Sequence, residues 1–206
     1  MKAATWTGVN EVSVEEVPDP QLLNDHDVIL KIRQTTTCGS DLHLIGGYVP
    51  FMRSGDVLGH EFLGEVVEVG PAVRDRKVGD RVVVASFASC GNCWYCKQEL
   101  YSLCDNGNAN PGITESLWGQ SPSGCYGFSH AMGGYAGSHA EYMRVPYADV
   151  APSSSRRGST TSGPSSPPTP PPPAGPALTW PGPSPATWSP CGERAGSGRW
   201  PPAPRC

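Results

Sequence analysis

Cys90-Gly91-Asn92-Cys93-Trp94-Tyr95-Cys96-Lys97-Gln98-Glu99-Leu100-Tyr101-Ser102-Leu103-Cys104 is the stretch that constrains this chain most. Its cysteines are spaced C-x2-C-x2-C-x7-C. Thiolates at two-residue intervals can wrap one ion, and a fourth closes a tetrahedron with Zn–S bonds of about 2.3 Å. Four soft sulfurs leave no open position, which marks a structural rather than a catalytic site. Iron–sulfur ligation is the rival reading, but ferredoxin-type runs continue C-x3-C-P, which is absent here. Four unrelated buried thiols are the remaining alternative. Zinc is the favoured occupant, in a lobe spanning about residues 88–106.

Outward from this lobe the pattern is that of short strands. Residues 1–6 and 11–17 read as strands around a turn at Gly8-Val9-Asn10, and Pro18 and Pro20 stop the second. Residues 27–37 alternate, with Val28, Leu30 and Ile32 set against Lys31 and Arg33. Residues 38–45 suit one short helical turn ended by Gly46-Gly47. Residues 62–69 and 81–85 are Val-rich strands separated by Gly79-Asp80, and 140–145 is the last strand after a Gly-, Asn- and Ser-rich excursion. Many short strands with irregular connections predict a mostly β, mostly antiparallel, partly open barrel.

A second set of metal-ligating residue types lies upstream: Cys38-Gly39-Ser40-Asp41 with His43, and Gly59-His60-Glu61. A catalytic zinc needs two or three protein ligands and an open position for substrate. Cys38 can supply a thiolate and His60 an imidazole. Such a metal lowers the pKa of an alcohol, which can then release hydride, and a hydroxyl (Ser40) passing a proton to an imidazole (His43) is a path for the proton. Each residue alone has an ordinary reading: a buried thiol for Cys38 or Cys125, a hydrogen-bonded structural histidine for His43 or His60, a helix cap for Ser40.

Together these segments resemble the zinc-type medium-chain alcohol dehydrogenases, whose N-terminal domain is a GroES-like barrel. The resemblance is carried by Cys38-Gly39-Ser40-Asp41-Leu42-His43, Gly59-His60-Glu61-Phe62-Leu63-Gly64-Glu65-Val66, Val78-Gly79-Asp80-Arg81-Val82 and the four-cysteine lobe. Gly133-Gly134-Tyr135-Ala136-Gly137 and Ala140-Glu141-Tyr142-Met143-Arg144-Val145-Pro146 look like the glutathione-independent formaldehyde dehydrogenase branch. The resemblance covers residues 1–152. It implies that Cys38 and His60 are catalytic zinc ligands, that Glu61 lies beside that metal and can approach it, and that Ser40 and His43 form the proton relay. It implies a structural zinc on Cys90, Cys93, Cys96 and Cys104. The intact parent would take NAD(P) and a small alcohol or aldehyde as substrate. In relatives the remaining catalytic ligand and the whole Rossmann domain lie beyond the point where this chain departs, so no residue here is expected to bind the dinucleotide.

Composition sets the other bounds. The net charge of -4 argues against a nucleic-acid-binding surface, and the tail arginines (Arg156, Arg157, Arg194, Arg199, Arg205) are scattered without stacking aromatics. No signal peptide or transmembrane run is evident, so a cytoplasmic protein without a membrane partner is expected. Most of the 23 prolines lie after Pro152. The segment 153–206 therefore cannot bury enough apolar surface to offset its conformational entropy, and a disordered tail is expected. Without the cofactor domain, oligomerisation of the 206-residue chain is not expected. A zinc-stabilised interaction protein is the alternative, with residues 169–173 as a polyproline segment for an aromatic groove. A co-chaperonin reading rests on fold analogy alone. Neither role needs the set at Cys38, Ser40, His43 and His60.

The tail has a further reading in its letters. Trp has one codon, ending in G, and every Pro codon begins CC, so Trp180-Pro181 and Trp200-Pro201 each force alanine when the frame shifts by one base. Across residues 174–204 the shifted frame permits an apolar strand, a G-x-G-x-x-G turn and a helix start, the order of a dinucleotide-binding fold. Its fingerprint glycines fall opposite Glu193, Ala195 and Gly198, and an aspartate is permitted opposite Thr169. A frameshift just after Pro152 accounts for the composition change without a new function. Sequencing the gene from the codons for residues 148–161 onward is expected to show an open reading frame once the frame is moved by one base. An early stop in that frame would contradict the reading.

Overall fold

The computed structural model describes residues 1–150 and the strand Pro152–Ser154. Of the tail expected over 153–206, Ser153 and Ser154 instead belong to a strand paired with Val83 and Val82, and the rest lies outside the described residues. In chain order the strands are β1 (Lys2–Gly8), β2 (Glu11–Glu16), β3 (Val28–Thr36), β4 (Asp56–Val57), β5 (Glu61–Val69), β6 (Arg81–Val84), β7 (Tyr142–Val145) and β8 (Pro152–Ser154). The helices are α1 (Gly39–Ile45), α2 (Trp94–Lys97) and α3 (Pro111–Trp118), with single 3-10 turns at Tyr101–Leu103 and His130–Met132.

The strands form a three-stranded sheet of order β2-β1-β4 and a five-stranded sheet of order β7-β3-β5-β6-β8. Every pairing is antiparallel. An isolated bridge between Ala3 and Ala140 links the two sheets. Among the described residues the sheets do not close into a continuous ring, so the expected barrel is an open one. Each strand expected from the alternation pattern is present within two residues at its ends.

The core lies on the inner face of the larger sheet. Val28, Leu30, Val66, Val82 and Val145 are fully buried there and pack with Phe62, Val84, Ala88 and Met143. Tyr126 plugs this core, its ring edge-on to Phe62 at 5.8 Å. Gly64, opposite Ile32, sits where β3 bulges against β5; a Cβ there would lie 3.0 Å from Leu30 Cβ and 3.1 Å from the Lys31 carbonyl. A side chain at 64 would therefore push the central pair apart.

Charge also ties the sheet. Asp27, buried just before β3, accepts hydrogen bonds from the backbone N–H groups of Leu23 (3.0 Å) and Asn24 (2.9 Å), and from Arg144 of β7 at 2.8 Å. The Arg144 guanidinium also lies over the Tyr135 ring at 6.0 Å. All three donors reach Oδ2 while the buried Oδ1 has no hydrogen bond among the described residues, so removing the arginine would leave a buried charge without its counter-ion.

Periodicity did not disclose four elements: β4, β8, α2 and α3. The two strands are two and three residues long, too short to show alternation. α3 lies inside the Gly-, Asn- and Ser-rich excursion, yet its ends are signposted: Pro111 opens its first turn and Gly119 closes it at φ 75°. Among the described residues, no helix is long and apolar enough to cross a membrane.

Candidate metal centres

The β3–β5 ladder reaches Thr36 opposite Glu61. Cys38 follows the end of β3 and His60 precedes the start of β5, so antiparallel pairing delivers both side chains to one place. Cys38 Sγ lies 3.1 Å from His60 Nε2. Cys38 is also the N-cap of α1: its sulfur accepts the Ser40 N–H at 3.3 Å, while the Asp41 carboxylate accepts the Cys38 N–H at 2.9 Å. This is a capping box with cysteine in the place usually taken by serine.

The other oxygen of Asp41, Oδ1, faces His60 Nδ1 at 3.4 Å. Both residues are buried, and neither of these two atoms has a hydrogen bond. A carboxylate behind one imidazole nitrogen can orient a ring so that the other nitrogen is free for a metal; here the other nitrogen faces Cys38. The ligand atoms of Cys38, Asp41 and His60 lie within 4.8 Å of one another, close enough for a metal ion. Phe128 walls the histidine, its ring edge-on at 6.1 Å.

Gly59 sets the approach of His60. Its φ is +99°, and a Cβ would meet His139 Cδ2 at 2.6 Å, Ser138 Oγ at 2.7 Å and the His139 backbone nitrogen at 2.8 Å. Only glycine accepts both the left-handed backbone and the contact.

The remaining expected site residues lie further out. Ser40 and His43 are three apart on α1, hence on one face. His43 is exposed, edge-on to Tyr48 at 5.9 Å, and no hydrogen bond joins it to Ser40 among the described residues. Ser40 does not cap the helix, because Cys38 does. Glu61 is exposed, and its carboxylate is outside the close cluster. Cys125 is a buried thiol pushed up to about 12, first by burial. Asp41 was the residue that spacing did not single out; the cap pattern Cys38-x-x-Asp41 is the signal that finds it.

The other centre is local. The sulfurs of Cys90, Cys93, Cys96 and Cys104 lie within 4.8 Å of one another, and Cys93 and Cys104 are 3.9 Å apart. A ZnS4 tetrahedron with 2.3 Å bonds needs sulfurs about 3.8 Å apart. Backbone N–H groups already point at these sulfurs: Asn92 and Cys93 to Cys90 (both 3.4 Å), Cys90 to Cys104 (3.2 Å) and Cys96 to Cys93 (3.4 Å). Burial alone would raise the Cys90 thiol, but the Asn106 amide and the N–H groups of Asn92 and Cys93 outweigh it and bring it down to about 6. Cys104 is pushed up to about 12, first by burial.

Residues 24–155 match the family model of the alcohol dehydrogenase GroES-like domain. The chain belongs to that family. It is 45% identical over 149 residues to a zinc-type alcohol dehydrogenase-like protein of Bacillus subtilis, covering 72% of this chain and 37% of that protein. It is 38% identical over 154 residues to the glutathione-independent formaldehyde dehydrogenase of Pseudomonas aeruginosa, covering 72% and 36%. Among solved structures, an alcohol dehydrogenase from Thermus sp. ATN1 superposes with a TM-score of 0.65 at 34% identity, over 75% of this chain and 40% of that one. The chain thus spans little more than a third of the length of the curated relatives it matches.

Gly59→Ala is expected to destabilise the fold by at least about 1 kcal/mol while leaving metal retention at the four-cysteine cluster unchanged. Urea unfolding, with metal analysis after dialysis, reads both effects. An unchanged protein would contradict the role given to Gly59.

Proposed function

We propose that this chain is the zinc-binding catalytic half of an NAD(P)-dependent alcohol or aldehyde dehydrogenase, and that the 206-residue product does not turn over alone. The observation that carries the reading is the Cys38–Asp41–His60 cluster, with Asp41 and His60 buried and Cys38 half-buried, distinct from the four-cysteine cluster. Two centres of different character are what a structural and a catalytic zinc require. At the first, zinc would supply Lewis acidity toward a substrate oxygen.

The chain's own residues do the rest. Asp41 faces His60 Nδ1 with one oxygen and caps α1 with the other, so ligand geometry and helix position are coupled. Cys38 would contribute a thiolate to the metal, and its sulfur accepts the Ser40 N–H. Oxidation of an alcohol sends a hydride to the nicotinamide and leaves one proton. Ser40, next to the metal ligand, and exposed His43 on the same face of α1 lead that proton to solvent. Glu61 opens β5 beside His60, and the family resemblance gives it the role of a residue that would approach a bound metal.

We assign none of residues 1–152 to dinucleotide binding. In the letters of 153–206 no strand leads into a G-x-G-x-x-G turn, and a one-base frameshift after Pro152 explains both that lack and the proline content. We read the protein as cytoplasmic, acting on a small alcohol or aldehyde, without nucleic-acid or membrane partners, and not oligomeric in this form. An interaction protein with a polyproline tail would have no use for the Cys38–Asp41–His60 cluster.

Purified with zinc, the chain is expected to keep about one ion per molecule through dialysis against a mild chelator, since four-thiolate sites bind with roughly 10–16 kcal/mol. The centre at Cys38 and His60 should lose its ion. No reduced nicotinamide should form from ethanol or formaldehyde with NAD or NADP. Two retained ions, or measurable nicotinamide reduction, would contradict the proposal.

A further inference from the structure

Asn106 lies just past the last cysteine of the lobe and belongs to none of the ligand sets. It is exposed, so packing does not dictate where its amide points. Yet Nδ2 donates to Cys90 Sγ at 3.3 Å. Among the described residues it is the one side-chain amide that reaches a sulfur of the cluster. Its backbone carbonyl is held in turn by the Tyr147 hydroxyl at 3.3 Å. Meanwhile the Cys90 N–H donates to Cys104 Sγ at 3.2 Å. The two bonds form a reciprocal clasp between the start and the end of the loop that carries the sulfurs.

The sulfurs are not equally served. Cys90 receives three donors, from Asn92 and Cys93 backbone and from Asn106. Four thiolates around a divalent cation leave a net negative centre, and N–H donors disperse that charge. A thiolate relieved in this way is a weaker nucleophile and a better permanent ligand. Backbone donors cannot be removed by substitution, whereas the amide can.

From this arrangement we infer that Asn106 is a positioning residue of the four-cysteine site, its amide holding Cys90 in place as a zinc thiolate and shielding it from electrophiles. The inference rests on the reading of that cluster as a zinc site.

The test uses the full chain and two variants. Asn106→Leu keeps the side-chain shape without the donor, and Asn106→Asp replaces the donor with an acceptor. Zinc affinity by competition with a chromophoric chelator is expected to fall about tenfold in both, the lower end of what outer-shell changes cost. In the cobalt-loaded protein the sulfur-to-metal charge-transfer band should move to lower energy, because a thiolate without its donor gives up an electron more readily. Iodoacetamide should then alkylate Cys90 ahead of the other cysteines. Unchanged affinity in both variants would overturn the inference. So would lower affinity with an unmoved band and no preference for Cys90, because that is the signature of a merely structural side chain. A wild-type chain that binds no zinc at the cluster would instead overturn the zinc reading beneath it.

Discussion

The antiparallel register of β3 on β5 is the constraint from which the rest of the metal chemistry hangs. Cys38 and His60 are far apart in sequence, and neither has local means to find the other. Pairing Thr36 with Glu61 puts them at neighbouring strand ends, with sulfur and imidazole nitrogen 3.1 Å apart. A slip of one residue would turn the alternating side chains of β5 to the wrong face. Fully buried Val28, Leu30 and Val66 hold that register on one side of the ladder. Gly64 lets the bulged backbones approach within it. Core packing and ligand placement are therefore one problem with one solution.

The two centres depend on the fold in different ways. The four-cysteine lobe takes all its sulfurs from one short loop, and backbone N–H groups of that loop already face them. It can close locally once a cation is present. The Cys38–Asp41–His60 centre exists only when the sheet has formed, because its members come from the end of β3, the first turn of α1 and the loop before β5. Asp41 joins the two levels: the same carboxylate caps the helix and backs the imidazole. Losing it would loosen helix and ligand together.

Much of this was legible in the letters. The cysteine spacing announced the lobe, and alternation located the strands of the central sheet. Family motifs then assigned ligand roles that spacing could only suggest. What escaped had physical reasons. β4 and β8 are too short to alternate, and α3 is marked by Pro111 and Gly119 rather than by an apolar stripe. Asp41 hid because a cysteine stands where the capping box normally has serine. Asn106 hid because a hydrogen bond to sulfur leaves no trace in spacing. Ser40 and His43 share a face of α1, with no hydrogen bond between them among the described residues.

Cadmium NMR of the full chain with excess metal tests most directly whether two distinct centres exist. The account predicts two resonances: one far downfield, as all-thiolate coordination gives, and one well upfield of it, from a site with a single sulfur, an imidazole and oxygen. In His60→Gln the second should vanish and the first persist. A single resonance in the wild-type chain, or the loss of both in the variant, would contradict the account.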